Sequence, residues 1–350
     1  MGKYKVGIIG AGLVGEEMVR CLRQSKIFRN SELKILARSS RKQILAGEIF
    51  QVKKTKPEEF EGMDIAFFAG TEGEKGASVV FAKEAIKRGV IIIDKGDDFR
   101  MNPEVPLVVP EINPQDLEWH KGLIASPNCT TIIMLMALWP IHQVSKIKKT
   151  IVFTTQAVSG SGRSGKEELK NQILSAVSVN IFSGKTELSL GEQTSIPPLV
   201  YPQPIAFNLI PQIGGFDRDF TSEEWKTIRE THKILHDNTI AITPVVCARA
   251  PIFNVHSVAI YIETERKITT EEAKKILSKA PGVRVVDPYP TPQMANGIDE
   301  ILVGRIREDL FFKKGLLLWV VGDNIRKGAA LNALQIAEEL VKRKLLKRRS

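Results

Sequence analysis

Hydrophobic positions in the first 130 residues form short apolar runs separated by stretches with helical spacing. The apolar runs cover residues 4–9, 33–37, 64–69 and 89–94, and the helical stretches include residues 77–88. Short runs rich in β-branched residues are typical of buried strands, and strands that alternate with helices are typical of a parallel, doubly wound sheet. The pattern therefore predicts an α/β domain at the start of the chain.

The pattern changes after an apolar helical run at residues 132–138. The strand-like segments that follow are longer and alternate more regularly between apolar and polar residues, at positions 149–157, 241–248, 257–263 and 316–321. Such alternation is typical of sheets that have one solvated face and are mostly antiparallel. The second half of the chain is therefore predicted to be an α+β domain with a mostly antiparallel sheet.

The last apolar pattern is helical and covers about residues 327–341, and we expect this helix to pack back on the first domain. The first domain then comprises residues 1–130 and 325–345, and the second comprises residues 131–324. A glycine- and serine-rich stretch at 159–165 is predicted to be a loop of the second domain.

Composition places the chain among ordinary globular proteins, because 43% of its 350 residues are hydrophobic and 26% are charged. No apolar run reaches the length of a membrane span, and the N-terminus lacks the apolar core of a signal peptide. The three cysteines, Cys21, Cys129 and Cys247, are widely separated, which argues against a disulfide framework. We expect a cytoplasmic protein that is not bound to a membrane.

The formal net charge of +10 raises the question of nucleic-acid binding. Residues 341–350 account for much of it, because they contain six basic and no acidic side chains, and such a run at a helix end is usually solvated. An anionic substrate or cofactor explains the remaining charge as well as a polynucleotide does. We therefore expect no nucleic-acid partner, and the absence of metal-ligand spacing predicts no metal site.

A glycine motif follows the first predicted strand directly and opens the first predicted helix. Gly10, Gly12 and Gly15 form the pattern G-x-G-x-x-G, and Leu13 and Val14 lie inside it. Glycines in this position let the backbone approach a pyrophosphate, which then lies at the N-terminus of the helix. The motif therefore predicts a dinucleotide site.

The end of the second predicted strand indicates which dinucleotide is used. An acidic residue there would bind the ribose 2′-hydroxyl of NAD, but this chain has Arg38, Ser39 and Ser40. Arginine and hydroxyl groups suit a 2′-phosphate, so the sequence favours NADP. Gly70 follows the third strand at the sheet edge where such folds bind ligands, and we include it in the cofactor site.

Cys129 lies where a predicted strand changes into the apolar helix. Pro127 ends the strand, and Asn128 can cap the helix, so Cys129 occupies the first helical position. Unpaired N–H groups and the helix dipole favour an anion there, and we expect the thiol to ionise more easily than usual. Two interpretations follow: a nucleophile, or a small buried apolar residue.

Several separate motifs then resemble aspartate-semialdehyde dehydrogenases nearly from end to end. The motifs occupy residues 126–131, 156–162, 205–208, 223–226, 249–251, 255–257, 303–307 and 318–330. The resemblance implies a Rossmann-type cofactor domain and NADPH-dependent reductive dephosphorylation of L-4-aspartyl phosphate to L-aspartate 4-semialdehyde. This reaction leads to lysine, threonine, methionine and isoleucine. It also implies a homodimer or homotetramer that associates through the large sheet of the second domain.

The resemblance implies roles for particular residues. Cys129 would be the nucleophile, His256 the acid and base, and Gln156 the residue that orients the substrate. The substrate carboxylate would pair with Arg249 and its ammonium group with Glu223. The phosphate would be held by Arg100, Asn128 and Lys226, and the nicotinamide end of the cofactor would be contacted by Ser159, Gly160 and Asn324.

The chain departs from the family pattern at a few positions. Lys95, Gly96 and Asp97 stand where relatives usually carry Asn-Ser-Ser, and we expect Asp97 and Asp98 to compete with phosphate for Arg100. The first glycine turn is one residue shorter than is common, Thr71, Glu72 and Gly73 replace a serine-bearing loop, and Val255 replaces a glycine.

Two alternatives remain open. The first is a related acyl reductase with the same cysteine and histidine, either an N-acetylglutamyl-phosphate reductase or an archaeal-type malonyl-CoA reductase. The second is a non-catalytic NADP-binding paralogue.

Overall fold

The computed structural model describes residues 3–70, 76–183 and 197–346. The predicted loop residues Thr71, Glu72 and Gly73 and the last four residues of the basic tail lie outside these ranges. The described residues form two large sheets that share an apolar core.

The first sheet has seven strands. They are β1 (Lys5–Ile9), β2 (Glu32–Ala37), β3 (Arg41–Leu45), β4 (Glu48–Lys54), β5 (Ile65–Phe68), β6 (Ile91–Asp94) and β7 (Leu123–Ala125). Their order is β3-β4-β2-β1-β5-β6-β7, and every pair is parallel except the β3–β4 hairpin. The predicted parallel, doubly wound sheet is therefore confirmed.

The β3–β4 hairpin was not predicted, because its pattern is not that of a buried strand. Both strands are rich in charged residues, and the apolar side chains of Ile44 and Ile49 are 65% and 75% exposed. The hairpin lies at the edge of the sheet and extends the surface beside the predicted 2′-phosphate site.

The second sheet has six strands. They are β8 (Ile147–Gln156), β11 (Ala241–Arg249), β12 (His256–Thr264), β13 (Val283–Val285), β14 (Ile301–Glu308) and β15 (Gly315–Gly322). Their order is β11-β8-β12-β15-β14-β13, and three of the five strand pairs are antiparallel. The prediction of a mostly antiparallel sheet is confirmed. A small separate pair is formed by β9 (Phe216–Asp217) and β10 (Phe220–Thr221).

Eight α-helices complete the described fold. They are α1 (Leu13–Gln24), α2 (Ala77–Lys87), α3 (Cys129–Val144), α4 (Gly162–Ser183), α5 (Ser222–Leu235), α6 (Thr270–Leu277), α7 (Pro292–Ala295) and α8 (Asn332–Lys342). Helix α4 and a preceding 3-10 turn, Val158–Ser161, occupy the stretch 159–165, so the prediction of a loop there was wrong.

Helix α3 joins the two sheets through a common core. Its residues from 132 to 138 are all buried, and they belong to one apolar cluster with Phe68 of β5, Ile92 of β6 and Val258 of β12. Burying a side chain of this size stabilises the fold by about 1.5–3 kcal/mol. Because the helix is apolar all round, its position between the sheets is fixed, and so is the position of its first residue, Cys129.

The end of the chain returns to the first sheet, as predicted. Residues of α8, including Ile336 and Leu340, pack in one buried cluster with Ile8 of β1 and Met18 of α1. The predicted helix is not α-helical throughout. Arg326–Leu331 forms a π-helical turn, and α8 begins after it. This turn brings Gly328 against the N-terminus of α3.

Candidate active site

The junction between β7 and α3 has the predicted local geometry. The Asn128 side chain caps the helix, because its Oδ1 accepts hydrogen bonds from the N–H groups of Thr130 and Thr131 at 2.8 and 3.3 Å. Cys129 is the first residue of α3, at the end where backbone N–H groups are unpaired. The predicted cap and the predicted position of the cysteine are both confirmed.

The second sheet places three further site residues at one edge. Gln156 is the last residue of β8 and pairs in register with Arg249, the last residue of β11. On the other side of β8, Ser257 pairs with Thr155, so His256 begins β12 at the same edge. Residues far apart in sequence are therefore neighbours because three strands end or begin together.

A cavity of about 1190 Å³ contains most of the predicted site. Its catalytic end is lined by Asn128, Cys129, Gln156, Glu223, Lys226, Arg100 and Arg249. Its other end is lined by Gly10, Gly12, Leu13, Val14, Arg38, Ser39 and Gly70, and Ser159, Gly160 and Asn324 lie on the same wall. Three predicted site residues, Gly15, Ser40 and His256, do not line it.

Glu223 is the centre of a buried hydrogen-bond network beside Cys129. Its carboxylate accepts hydrogen bonds from Asn128 Nδ2 and Gln156 Nε2, each at 3.1 Å, and from Thr130 Oγ1 at 3.3 Å. Only 6% of Glu223 is exposed. The helix cap, the sheet edge and α5 are thus tied together by one carboxylate.

The expectation that Cys129 ionises easily is wrong for the site as it stands. Burial, and next the negative charge of Glu223, raise the pKa of the Cys129 thiol. Lys95, Arg100 and Arg249 act in the opposite direction and do not outweigh these two effects. The position of Cys129 at a helix N-terminus could be inferred from the sequence. The presence of the buried Glu223 carboxylate beside it could not.

His256 is buried and held in one tautomer. Its Nδ1 accepts the N–H of Ala157 at 3.0 Å, so in the neutral ring the proton is on Nε2. Burial, and next the positive charge of Arg249, lower the pKa of His256 well below its ordinary value, which keeps the ring neutral. Within the described ranges, Nε2 has no hydrogen-bond partner.

The residue before His256 has an uncommon backbone conformation. Val255 has φ of +78°, a region that β-branched residues rarely occupy. Its N–H donates to Asn324 Oδ1 at 3.0 Å, and its side chain is fully buried. The same Asn324 exchanges hydrogen bonds with the Ser159 hydroxyl at 3.0–3.1 Å. These contacts fix the backbone at the start of β12 and thereby the position of His256.

Arg249 has a supported position on the cavity wall. Its Nη1 donates to the Ala157 carbonyl at 2.7 Å, and it is 6% exposed. Gly160 leaves room for it, because a Cβ atom at position 160 would lie 2.7 Å from that nitrogen.

The arrangement around Arg100 differs from the prediction. Its guanidinium donates to Glu230 Oε1 at 3.0 Å and to the carbonyls of Ser126 and Lys95. Asp97, which was expected to compete for Arg100, forms an ion pair with Lys226 at 2.9 Å. Glu230 also accepts the N–H of Asn128 at 2.7 Å, so one buried carboxylate supports both the arginine and the residue before the cysteine.

The glycine turn has the geometry of a phosphate cradle. Gly10 has φ of +118°, and a Cβ atom on Gly15 would lie 1.9 Å from the Gly10 carbonyl oxygen, so both positions require glycine. Gly12 faces open space, which allows a ligand to approach the backbone at the start of α1. Gly15 thus contributes to the cofactor site by packing and not by lining the cavity.

The ribose-phosphate end contains more basic groups than the sequence indicated. Arg38 and Ser39 line the cavity together with Arg41 and Lys54 from the unpredicted hairpin. Ser40 does not line it, because its hydroxyl accepts the N–H of Lys54 at 2.9 Å and so ties the hairpin to the strand end. The residues present therefore fit an anionic cofactor with a 2′-phosphate.

Comparison with known proteins identifies the family. Residues 5–120 match the model of the semialdehyde dehydrogenase NAD binding domain, and residues 138–327 match that of the semialdehyde dehydrogenase dimerisation domain. The aspartate-semialdehyde dehydrogenase of Aquifex aeolicus is 45% identical over 98% of this chain and 99% of its own length. The enzyme of the same name from Bacillus subtilis is 42% identical over 97% and 98%.

The chain belongs to the aspartate-semialdehyde dehydrogenase family. A solved structure supports this at the level of the fold: aspartate semialdehyde dehydrogenase II from Vibrio cholerae, complexed with ASA, has a TM-score of 0.87 and 36% identity. The match covers 98% of this chain and 99% of that one. The family assignment makes the chain an NADP-dependent oxidoreductase.

Sequence reasoning missed three residues of this semialdehyde dehydrogenase site. Lys95 and Gly328 line the cavity beside Cys129. Glu230 accepts a hydrogen bond from the Arg100 guanidinium. Glu230 lies seven residues after Glu223 on α5, which places both carboxylates on one face of the helix. That spacing was the only signal in the sequence for Glu230.

The described residues contain neither a metal-binding cluster nor a membrane-spanning helix. No group of three or more histidine, cysteine, aspartate or glutamate side chains in those ranges is arranged to hold a metal ion. No helix in them is both long and apolar enough to cross a membrane. Cys21, Cys129 and Cys247 are free thiols.

Proposed function

We propose that this protein catalyses the NADPH-dependent reductive dephosphorylation of L-4-aspartyl phosphate to L-aspartate 4-semialdehyde. The observation that carries the proposal is the single cavity: Cys129, Glu223 and Arg249 lie at one end, and the glycine turn and Arg38 lie at the other. A substrate with a carboxylate, an ammonium group and an acyl phosphate needs groups of these charges around a nucleophile.

The amino-acid part of the substrate is recognised by opposite charges. Arg249 binds the substrate carboxylate through a bidentate pair, and Glu223 binds the ammonium group. Gln156 lines the cavity and donates a hydrogen bond to Glu223. It therefore holds the Glu223 carboxylate in place and orients the substrate beside Cys129. Asn128 belongs to the same group because its side chain donates to Glu223.

Substrate binding changes the charge that acts on the cysteine. Second only to burial, the negative charge of Glu223 raises the pKa of the Cys129 thiol. When the substrate ammonium pairs with Glu223, that negative charge is compensated, and the thiolate becomes easier to form. The nucleophile is therefore most reactive when substrate is present.

The reaction then proceeds through a thioester on Cys129. The thiolate attacks the acyl carbon, and phosphate leaves towards Arg100 and Lys226 on the cavity wall. When bound, the cofactor supplies the hydride that reduces the thioester carbon. Sulfur suits this step because a thioester accepts hydride more readily than an oxygen ester does.

His256 moves the proton of the tetrahedral oxygen. Its Nε2–H donates a hydrogen bond to the oxygen that develops negative charge, and the proton stays shared between that oxygen and Nε2 until the hemithioacetal collapses. The aldehyde and the Cys129 thiolate are the products. The low pKa of His256 keeps the ring neutral, so Nε2–H is present as a hydrogen-bond donor to this oxygen.

NADP binds at the glycine turn. Gly10, Gly12, Leu13 and Val14 hold the pyrophosphate at the start of α1, and Arg38, Ser39 and the adjoining Ser40 hold the 2′-phosphate. Ser159, Gly160 and Asn324 would contact the nicotinamide end of the cofactor, and Gly70 would be a further part of the cofactor site. We also propose the domain limits given by the sequence, with residues 1–130 and 325–345 as the cofactor domain and 131–324 as the catalytic domain.

The protein associates as a homodimer or homotetramer through the outer face of the second sheet. That face carries half-buried apolar side chains, among them Phe153 of β8, Tyr261 of β12, and Leu317 and Trp319 of β15. A sheet face of this kind is stabilised when a second copy covers it. The partners are thus a small-molecule substrate and further copies of the chain, and three free thiols suit the reducing conditions of the cytoplasm.

The reverse reaction tests the proposal, because the aldehyde is easier to handle than the acyl phosphate. Reduction of NADP is followed with L-aspartate semialdehyde in the presence and absence of phosphate. We expect turnover that requires phosphate. No turnover, in protein that binds NADP, would contradict the substrate assignment. Malonate semialdehyde with coenzyme A, and N-acetylglutamate semialdehyde with phosphate, then test the two related reductases.

A further inference from the structure

Lys95 lies directly after β6, at the carboxyl edge of the first sheet, and its side chain contacts residues on both sides of Cys129. Its ammonium nitrogen lies 2.8 Å from the Pro127 carbonyl oxygen, 3.2 Å from the Gly328 carbonyl oxygen and 3.3 Å from Ser126 Oγ. Lys95 also lines the large cavity.

These three acceptors lie on both sides of Cys129. Ser126 and Pro127 form the backbone that leads into α3, whereas Gly328 belongs to the π-helical turn on the other side. Gly328 packs so closely that a Cβ atom there would lie 2.8 Å from Cys129 Cβ. One ammonium group therefore connects the two backbone segments that enclose the thiol.

The ammonium group is occupied by these contacts. A lysine side chain has three N–H donors, and Lys95 has three acceptors within hydrogen-bond distance. Its hydrogen bonds are thus directed at the protein and not at the phosphate of a substrate. What it presents to the cavity is its positive charge.

We propose that Lys95 is a positioning residue for Cys129: its hydrogen bonds fix the backbone around the cysteine, and its charge stabilises the thiolate. The proposal deepens the proposed function, since it rests on Cys129 as the nucleophile.

The charges around Cys129 support this role. Glu223 on α5 acts against the thiolate, and Lys95, Arg100 and Arg249 act in favour of it, while the buried His256 is neutral. Arg100 is paired with Glu230, and Arg249 is proposed to bind the substrate carboxylate. Lys95 is thus the cation that acts on the thiolate without also binding substrate.

Alkylation of Cys129 by iodoacetamide measures the thiolate directly and needs no substrate. The rate is determined between acidic and alkaline pH, and the Cys129 peptide is quantified by mass spectrometry, which separates it from the buried Cys21 and Cys247. We expect Lys95→Met to move the midpoint of the pH profile upwards by about one unit, which is about a tenfold slower reaction at neutral pH.

Three matched variants separate charge from shape. Lys95→Gln keeps hydrogen-bond donors without the charge, and we expect the same upward shift. Lys95→Arg keeps the charge, and Lys121→Met removes an exposed lysine that pairs with Glu104, so both should keep the midpoint of the unmodified protein. Circular dichroism establishes that each variant is folded.

A folded Lys95→Met or Lys95→Gln protein with an unchanged midpoint would overturn the proposal, even if alkylation were slower at every pH. The result is independent of the substrate. A shifted midpoint in a protein that does not turn over aspartate semialdehyde would uphold the role of Lys95 and reject the proposed reaction.

Discussion

At the scale of single residues, the site is governed by how Glu223 and Cys129 affect each other. We propose that the carboxylate binds the substrate ammonium, yet its charge, second only to burial, raises the pKa of the Cys129 thiol. Glu223 is nevertheless stable beside the thiol, because three hydrogen-bond donors hold its carboxylate in place. Recognition of the substrate and activation of the nucleophile are therefore coupled through one side chain.

Glu223→Gln should separate these two effects. The amide has the same shape but no charge, so the pKa of the Cys129 thiol falls and the alkylation profile moves to lower pH. The variant also loses a charge-assisted contact to the substrate ammonium, so KM for aspartate semialdehyde should rise at least about tenfold. Alkylation and steady-state kinetics on the same preparation measure both. An upward shift of the alkylation profile would contradict this account of the pair.

At the scale of elements, catalysis depends on how closely the π-helical turn approaches α3. Gly328 has no room for a side chain, since a Cβ atom would lie 2.8 Å from Cys129 Cβ and 3.3 Å from Cys129 Cα. The turn and the helix are held together by buried contacts and by Lys95. A small displacement there changes the direction of the thiol more than it changes the fold.

Gly328→Ala should therefore lower kcat by about tenfold to a hundredfold, while the protein remains folded. Gly215→Ala is the matched control, because a Cβ atom at position 215 meets nothing within 4 Å. Turnover is measured together with the thermal unfolding midpoint. If the Gly328 variant is as active as the control, the close packing has no catalytic role.

Single elements show best what the sequence could predict and what it could not. Local signals predicted the local structure: Pro127 and Asn128 defined the start of α3, and the glycines defined the turn after β1. The direction of the pKa shift of Cys129 could not be predicted, because it depends first on burial and next on Glu223, which approaches from a helix almost one hundred residues away. The β3–β4 hairpin was missed because an exposed edge strand has no apolar period.

The resemblance to the family supplied what local patterns could not. Nothing in the spacing of Gln156, Arg249 and His256 indicates that they meet, and the register of β8, β11 and β12 is what brings them to one edge. Even so, the family motif did not indicate that Asp97 pairs with Lys226 or that Glu230 supports Arg100. Those contacts depend on how the loop after β6 packs against α5.

At the scale of the whole molecule, the second sheet has two different faces. One face packs on α3 and is fully buried, whereas the other carries half-buried apolar side chains on neighbouring strands. The register places Phe153 of β8 beside Ala259 of β12, which in turn pairs with Trp319 of β15. A continuous apolar strip of this kind is the surface that we assign to self-association.

Phe153→Lys should place a charge in that strip and shift the protein towards monomer, because an unpaired charge is costly to bury. Size-exclusion chromatography with light scattering measures the mass in solution. Ile44→Lys on the exposed β3–β4 hairpin is the control and should keep the mass of the unmodified protein. An unchanged mass for a folded Phe153 variant would place the interface elsewhere.

The most direct test of the central claim is a single turnover without phosphate. With NADP and L-aspartate semialdehyde, Cys129 adds to the aldehyde, hydride passes to NADP, and an aspartyl thioester remains on the enzyme. We predict a burst of about one NADPH per subunit, an aspartyl adduct on the Cys129 peptide by mass spectrometry, and release of that adduct when phosphate is added. Cys129→Ser should give neither burst nor adduct. A burst with the adduct on another residue, or an undiminished burst in Cys129→Ser, would contradict the assignment of the nucleophile.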